Sequence, residues 1–380
     1  MKKIPRLNKI KDGNRLYYNP NDDEKRIYLK IKREIEQKYA SGSSNRDQII
    51  KQLISTLTHG DYTDYSVQDI DLFIVRSDIK NFYPSINKHY LYKKLMKANM
   101  LSNSTIQTLK PMFFSSSVSG IPLGLPFSSA LAEVYLEKFD DDIRQNFNPT
   151  FYFRYVDDII IINYDTIKGI DIEETNKVLE KIFKENFLNI NREKTIFNRY
   201  EALSRNSEEL CFDYLGYKFN TNNKNLHISI SENKYIKIIN RIKKYFYIFK
   251  KSNRSEKQFW LLYYRLMNSL FGIKSTDENG KNMYFGLGYN YKFINDKTQM
   301  ENFISVVKGL IHSCKLSSKR KSALLYLVFT NGNSLDILGK RYDYTRLTLK
   351  QINKIKLRLQ ITSSDMNISK IFYVIYKNAK

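Results

Sequence analysis

Tyr155-Val156-Asp157-Asp158 constrains this chain more than any other stretch. Two adjacent carboxylates sit between two strand-like runs, Thr150-Phe151-Tyr152-Phe153-Arg154 and Ile159-Ile160-Ile161-Ile162, so they are expected at the tip of a β-hairpin. Like charges side by side repel, and each resists desolvation. A divalent cation relieves both costs, and magnesium takes hard oxygen ligands while keeping positions open for phosphates. Asp is also an ordinary turn residue, so the tetrapeptide alone leaves a plain hairpin tip open.

A second segment sharpens the reading. Leu72-Phe73-Ile74-Val75 is an apolar run that leads through Arg76-Ser77 to Asp78 and then into Ile79-Lys80-Asn81-Phe82-Tyr83-Pro84-Ser85-Ile86, a strand followed by a turn. Two-metal phosphoryl transfer needs carboxylates from separate strands, so that two ions about 4 Å apart can clamp the attacking and leaving oxygens. Asp78 from one strand, with Asp157 and Asp158 from a neighbouring hairpin, would supply them. A lone Asp at a strand end is ordinarily a cap or turn residue; the combination is far more specific than either piece.

These segments resemble the palm of a reverse transcriptase. Asp78 through Ile86 is similar to the first catalytic motif of that family, and Gly120-Ile121-Pro122-Leu123-Gly124-Leu125-Pro126-Phe127-Ser128-Ser129 to its Gly/Pro-rich substrate loop. Tyr155 through Asp158 resembles the catalytic hairpin, and Leu188 through Thr195 the lysine motif after it. Phe212-Asp213-Tyr214-Leu215-Gly216-Tyr217-Lys218-Phe219 resembles the primer-grip hairpin. The implied fold is an α/β (α+β) right hand: a ferredoxin-like palm with fingers, then a basic, mostly helical thumb and C-terminal extension. The expected divisions are fingers 1–75, palm 76–231 with a helical fingers-side insertion at 88–118, thumb 232–298 and extension 299–380.

The resemblance also implies roles. Asp78, Asp157 and Asp158, with the Ile79 carbonyl, would hold two magnesium ions, and Lys194 would stand beside the pyrophosphate as charge stabiliser or general acid. Asn81 and Phe82 would offer backbone N–H groups to a triphosphate, because a tight turn after a strand makes an anion nest. Tyr83, five residues after Asp78, would fill the space that a 2′-hydroxyl needs and so select deoxynucleotides. Gly124 and Pro126 would bring rigid backbone close to the nucleotide, while Tyr155, Gly216, Lys243 and Lys244 would touch nucleic acid. Many templated members of the family carry Gln where this chain has Leu123. Leu123, the Leu131-Ala132-Glu133 continuation and the Arg76-x-Asp78 start look most like bacterial antiphage reverse transcriptases, the abortive-infection types among them.

Charge supports a polyanionic partner. The chain of 380 residues has a net charge of +24, and residues 233–380 carry 29 basic but only 8 acidic side chains. Nearly all of the excess therefore lies in the C-terminal part, where nucleic acid is the implied partner. Two cysteines and four histidines leave no zinc spacing and no disulfide framework. The N-terminus lacks a signal-peptide pattern and no 18-residue apolar run exists, so a cytoplasmic, bacterial location and no membrane contact are expected.

Helical spacing predicts helices over 24–40, 45–57, 88–113, 129–144 with Ser128 as N-cap, 173–187, 233–251, 258–271, 299–313, 317–330, 345–361 and 368–377. Strands are expected at 194–199, 211–219 and 226–230, and a loop or hairpin at 275–291. The leading reading is RNA-directed synthesis of DNA from deoxynucleoside triphosphates on a bound non-coding RNA. An untemplated or protein-primed polymerase, and an inactive RNA-binding scaffold, are the alternatives. A homo-oligomer or a neighbouring effector protein would be compatible with each.

Overall fold

A computed structural model of the chain describes residues 3–13, 15–39, 45–67, 69–165, 169–202, 210–276, 280–362 and 368–376. It divides into two compact units, Met1–Leu210 and Cys211–Lys380.

The N-terminal unit opens with a hairpin of β1 (Asn8–Asp12) and β2 (Arg15–Asn19), then α1 (Asp22–Tyr39) and α2 (Arg46–Thr58). Asn21 and Glu24 cap α1 reciprocally, each side chain accepting from the other's backbone N–H. Tyr28, Ile31 and Ile35 then bury one stripe of α1, as the helical period requires. Next come β3 (Leu72–Asp78), the short α3 (Phe82–Ser85), α4 (Lys88–Ala98), α5 (Asn103–Phe114) and α6 (Ser128–Phe147). The hairpin β4 (Phe151–Tyr155) and β5 (Asp158–Tyr164), α7 (Ile172–Glu185) and β6 (Ile196–Tyr200) complete the unit.

The sheet order is β4-β5-β3-β6, with every neighbouring pair antiparallel. From β3 onward the elements run strand, helices, two strands, helix, strand, which is the ferredoxin-like arrangement. Ile159 to Ile162 are all buried because both faces of β5 are covered. Ile159 and Ile161 join Phe73 and Val75 in one core with Leu131, Phe139, Leu179 and Phe183 of the helices. Residues alternate across a strand, so Ile160 and Ile162 face the opposite side.

The expected helix over 88–113 is two helices. Asn99 leaves α4 in the left-handed conformation at φ 49°, and Ser102 caps α5 afresh. Ser128 is not the cap of α6. It is the first helical residue, and its hydroxyl donates to the Pro122 carbonyl, so it ties the helix to the preceding loop. Lys194 precedes the strand it was expected to start, lying in a single helical turn over Arg192–Lys194.

The C-terminal unit begins with an antiparallel three-stranded sheet, β7 (Cys211–Tyr214), β8 (Tyr217–Asn222) and β9 (Asn225–Ile230). Leu215 and Gly216 both have positive φ, 48° and 84°, the conformation of a tight two-residue hairpin turn. Helices α8 (Glu232–Lys251) and α9 (Glu256–Leu270) follow, then β10 (Gly272–Thr276), β11 (Asn282–Phe285), α10 (Leu287–Asn290), α11 (Lys297–His312) and α12 (Ser318–Leu327). The chain ends with α13 (Asp336–Gly339), β12 (Arg341–Asp343), α14 (Leu349–Leu359) and α15 (Ile368–Tyr376). The region 275–291 contains a hairpin, β10 with β11, and β12 joins β10 in parallel. Among the described residues no helix is long and apolar enough to cross a membrane. Cys211 is exposed and Cys314 is buried.

Candidate active site

Strand register brings the carboxylates together. Asp78 ends β3 directly opposite Asp158, which starts β5, and Asp157 occupies the turn between β4 and β5. The Ile79 N–H donates to the Asp157 carbonyl at 3.1 Å, which ties the hairpin tip to the end of β3. Val156 holds φ at 58° in that turn. A β-branched residue rarely adopts this conformation, so the tip is strained as tight functional turns often are.

The three aspartates open into a cavity of about 880 Å³ within the N-terminal unit. Ile79, Asn81, Phe82, Tyr83, Tyr155 and Lys194 also line it. Of the loop residues, Ile121, Pro122 and Leu123 reach the wall, whereas Gly124 and Pro126 do not. Gly124 serves packing: with φ at 91°, a Cβ there would stand 2.5 Å from the Tyr18 carbonyl of β2. Leu123 is bonded to the same strand, its carbonyl accepting from the Tyr18 N–H at 2.8 Å. Gly120 lets the loop lie on the turn after Asp78, since a Cβ would fall 2.0 Å from the Tyr83 carbonyl. Gly216, Lys243 and Lys244 belong to the C-terminal unit, both lysines exposed on α8.

The electrostatics are uneven. Asp78 is 4% exposed, yet Lys194 Nζ pairs with its Oδ2 at 2.9 Å and Asn191 Nδ2 donates to its Oδ1 at 2.8 Å. Burial, followed by the neighbouring Asp157 and Asp78 charges, pushes the Asp158 carboxyl up to about 6. Burial, and then Asp78, also raises Asp157. Burial pushes the Tyr83 phenol up to about 12, with Glu133 and Asp157 adding to the effect, so its hydroxyl stays protonated.

Several residues of this site escape local reading. Arg154 is the clearest. Its guanidinium, with 8% of the side chain exposed, pairs with Glu133 at 2.7 Å and with Asp140 at 2.7 Å, both on α6. It also donates to the Val156 carbonyl at 3.1 Å, which braces the strained turn from behind. The signal was present in the sequence: Glu133 and Asp140 are seven residues apart, hence on one helical face, and Arg154 is the one charge in an aromatic strand. Arg15 from β2 and Lys80 and Arg192 beside the carboxylates also line the cavity. Arg15 lies near enough to Asp157 to favour its ionised form.

Reverse transcriptase domains generally use divalent metals, and the donor chemistry here fits them: hard carboxylate oxygens whose mutual repulsion a cation would relieve. Among the described residues no three such side chains are drawn up as a ready cage. Asp78 is held by Lys194 and Asn191 instead.

Residues 15–219 match the family described as reverse transcriptase (RNA-dependent DNA polymerase). No curated protein matches the chain. Among solved structures, telomerase from Candida albicans in complex with a TWJ fragment of telomeric RNA is similar at 12% identity over 93% of this chain and 54% of that one, TM-score 0.41. Apo telomerase from Candida tropicalis is similar at 13% identity over 93% and 52%, TM-score 0.40. The chain spans about half the length of the telomerases it matches. The fold is that of a right-hand polymerase, and the match covers more than half of the chain. The chain belongs to the reverse transcriptase family of RNA-dependent DNA polymerases.

Proposed function

We propose that this chain adds deoxynucleotides to a 3′-hydroxyl by two-metal phosphoryl transfer, copying a bound non-coding RNA in bacterial antiphage defence. The observation that carries the chemistry is the convergence of Asp78, Asp157 and Asp158, from two strands and one turn, in a single cavity with Lys194. Asp78, Asp157 and Asp158, with the Ile79 carbonyl, would hold two magnesium ions. Metals held there would supply a lowered pKa for the attacking hydroxyl and charge neutralisation for the leaving pyrophosphate.

The other side chains act by position. Lys194, which pairs with Asp78, would stand beside the leaving phosphate and stabilise its charge. Arg15, Lys80 and Arg192 add positive charge to the same wall, where a triphosphate would lie. Tyr83 lines the cavity as a neutral ring near enough to Asp157 to feel its charge, and would exclude a 2′-hydroxyl by bulk. Arg154 orients the turn that carries Asp157. The defence setting is supported by sequence resemblance alone.

One observation favours a second reading. Leu123 presents an apolar side chain to the cavity where many templated relatives have an amide, so untemplated or protein-primed synthesis is the alternative. Incorporation of labelled deoxynucleotides by purified protein, before and after ribonuclease treatment, separates the two. Loss after treatment is expected for a templated enzyme. Survival, with product attached to protein, would overturn the RNA-templated reading.

A further inference from the structure

The C-terminal unit holds a second cavity, of about 530 Å³, which shares no residue with the carboxylate site. Its size is ordinary for small-molecule sites, roughly 300–1,000 Å³. Helix α8 supplies one wall. Lys234, Ile238, Arg241 and Tyr245 recur at helical spacing, with Lys237 beside them. Phe285, Tyr291, Phe372 and Tyr376 supply aromatic surface.

The charge around this cavity is one-sided. Lys234, Lys237 and Arg241 line it, and among the described residues no Asp or Glu does. Arg265 lies behind the lining, 3% exposed, close enough to Tyr245 and Tyr376 to interact with both phenols. Its Nε donates to the Ile375 carbonyl at 2.6 Å. Among the described residues neither Arg265 nor the three lining cations has a carboxylate within ion-pair distance. Burial raises the phenols of Tyr245 and Tyr376, so neither supplies the missing negative charge. A buried cation without a counter-ion is costly.

A polar group is also left over. Asn268 is 1% exposed and lines the cavity. Its Oδ1 accepts from the Tyr344 hydroxyl at 2.9 Å. Its Nδ2 stands beside the Tyr376 hydroxyl but outside hydrogen-bond geometry, with no closer partner among the described residues. Buried amides are ordinarily satisfied. Here one donor, an excess of cations and several rings converge on the same space.

From this convergence we infer that the cavity binds a nucleoside phosphate, either free or as the 5′ end of a strand. The phosphate would lie against Lys234, Lys237 and Arg241, as charge-assisted hydrogen bonding favours. The base would lie against the aromatic wall, where stacking is tolerant of base identity. Asn268 Nδ2 would meet a ring acceptor.

Equilibrium dialysis of the full chain with labelled dATP, in EDTA, tests this directly, because the carboxylate site depends on metal. One saturable dATP per chain is expected, unchanged in Asp157→Asn and in Lys308→Ala on α11. At least tenfold weaker binding is expected for Lys237→Ala/Arg241→Ala, two exposed positions whose change does not threaten folding. Competition then identifies the source. Displacement by 5′-phosphorylated dT10 but not by 5′-hydroxyl dT10 assigns the site to strand ends; displacement by neither assigns it to free nucleotides. If neither dATP nor 5′-phosphorylated dT10 binds in EDTA, or if the Lys237→Ala/Arg241→Ala variant binds as wild type does, the inference fails.

Discussion

Two charged clusters sit on the same hairpin and are treated in opposite ways. Behind the turn, Arg154 faces Glu133 and Asp140 with short, nearly buried pairs, and its remaining donor goes to the Val156 carbonyl. In front of it, Lys194, with 52% of its side chain in solvent, pairs with Asp78, while Arg15 favours the ionised form of Asp157 and Arg76 that of Asp158. The rear cluster is joined by short ion pairs and holds shape. In the front cluster, burial raises Asp157 and Asp158. A buried ion pair can contribute specificity and geometry, whereas carboxyls shifted by burial and by one another in a cavity are a mark of a functional site.

The largest way to break that contrast is to remove Arg154. Arg154→Met should destabilise the protein by about 3–5 kcal/mol, because Glu133 loses its ion pair and Asp140 keeps only the Tyr152 hydroxyl. Combining it with Glu133→Gln and Asp140→Asn should recover most of the loss, as read by urea unfolding. A single Arg154→Met variant as stable as wild type would show that the rear cluster holds nothing.

The front cluster should respond with the opposite sign. A carboxyl raised to about 6 in the folded state makes the native protein bind more protons than the unfolded chain below that pH. Stability from Asp158 therefore grows as pH falls through about 6 towards 4, and a penalty remains at pH 7. Asp158→Asn should raise stability at pH 7 by on the order of 1–3 kcal/mol, with the gain shrinking near pH 4. A destabilised Asp158→Asn variant in metal-free buffer would contradict the account. Smaller still is the effect expected at Tyr83. Tyr83→Ala should lower discrimination against ribonucleotides about tenfold, roughly 1.4 kcal/mol in relative barrier, measured as the ratio of kcat/KM for dATP and ATP. An unchanged ratio would remove Tyr83 from selectivity.

The front cluster was legible because it is written locally. An Asp-Asp tip between two apolar strands, and an Asp closing another strand, are period and turn signals. Lys194 and Tyr83 come with those motifs. Arg154 was not read, since its partners lie on a helix and only the tertiary fold sets strand against helix. Arg15, one of several basic residues near the N-terminus, is singled out only by the packing of β2 on the Leu123–Gly124 backbone. That packing also explains Gly124, whose glycine is required by the Tyr18 carbonyl rather than by a ligand at the wall. Ser128 illustrates the same limit: helix-start chemistry pointed to a cap, but the Pro122 carbonyl competes successfully for its hydroxyl.

The central claim is that Asp78, Asp157 and Asp158 are the catalytic metal site of a DNA polymerase. The most direct measurement is magnesium-dependent incorporation of labelled deoxynucleotides by wild type and by Asp157→Asn, with circular dichroism confirming that both are folded. The account predicts incorporation by wild type and a loss of about a thousandfold or more in the variant, about 4 kcal/mol or more of transition-state stabilisation. Full activity in a folded Asp157→Asn protein would contradict it.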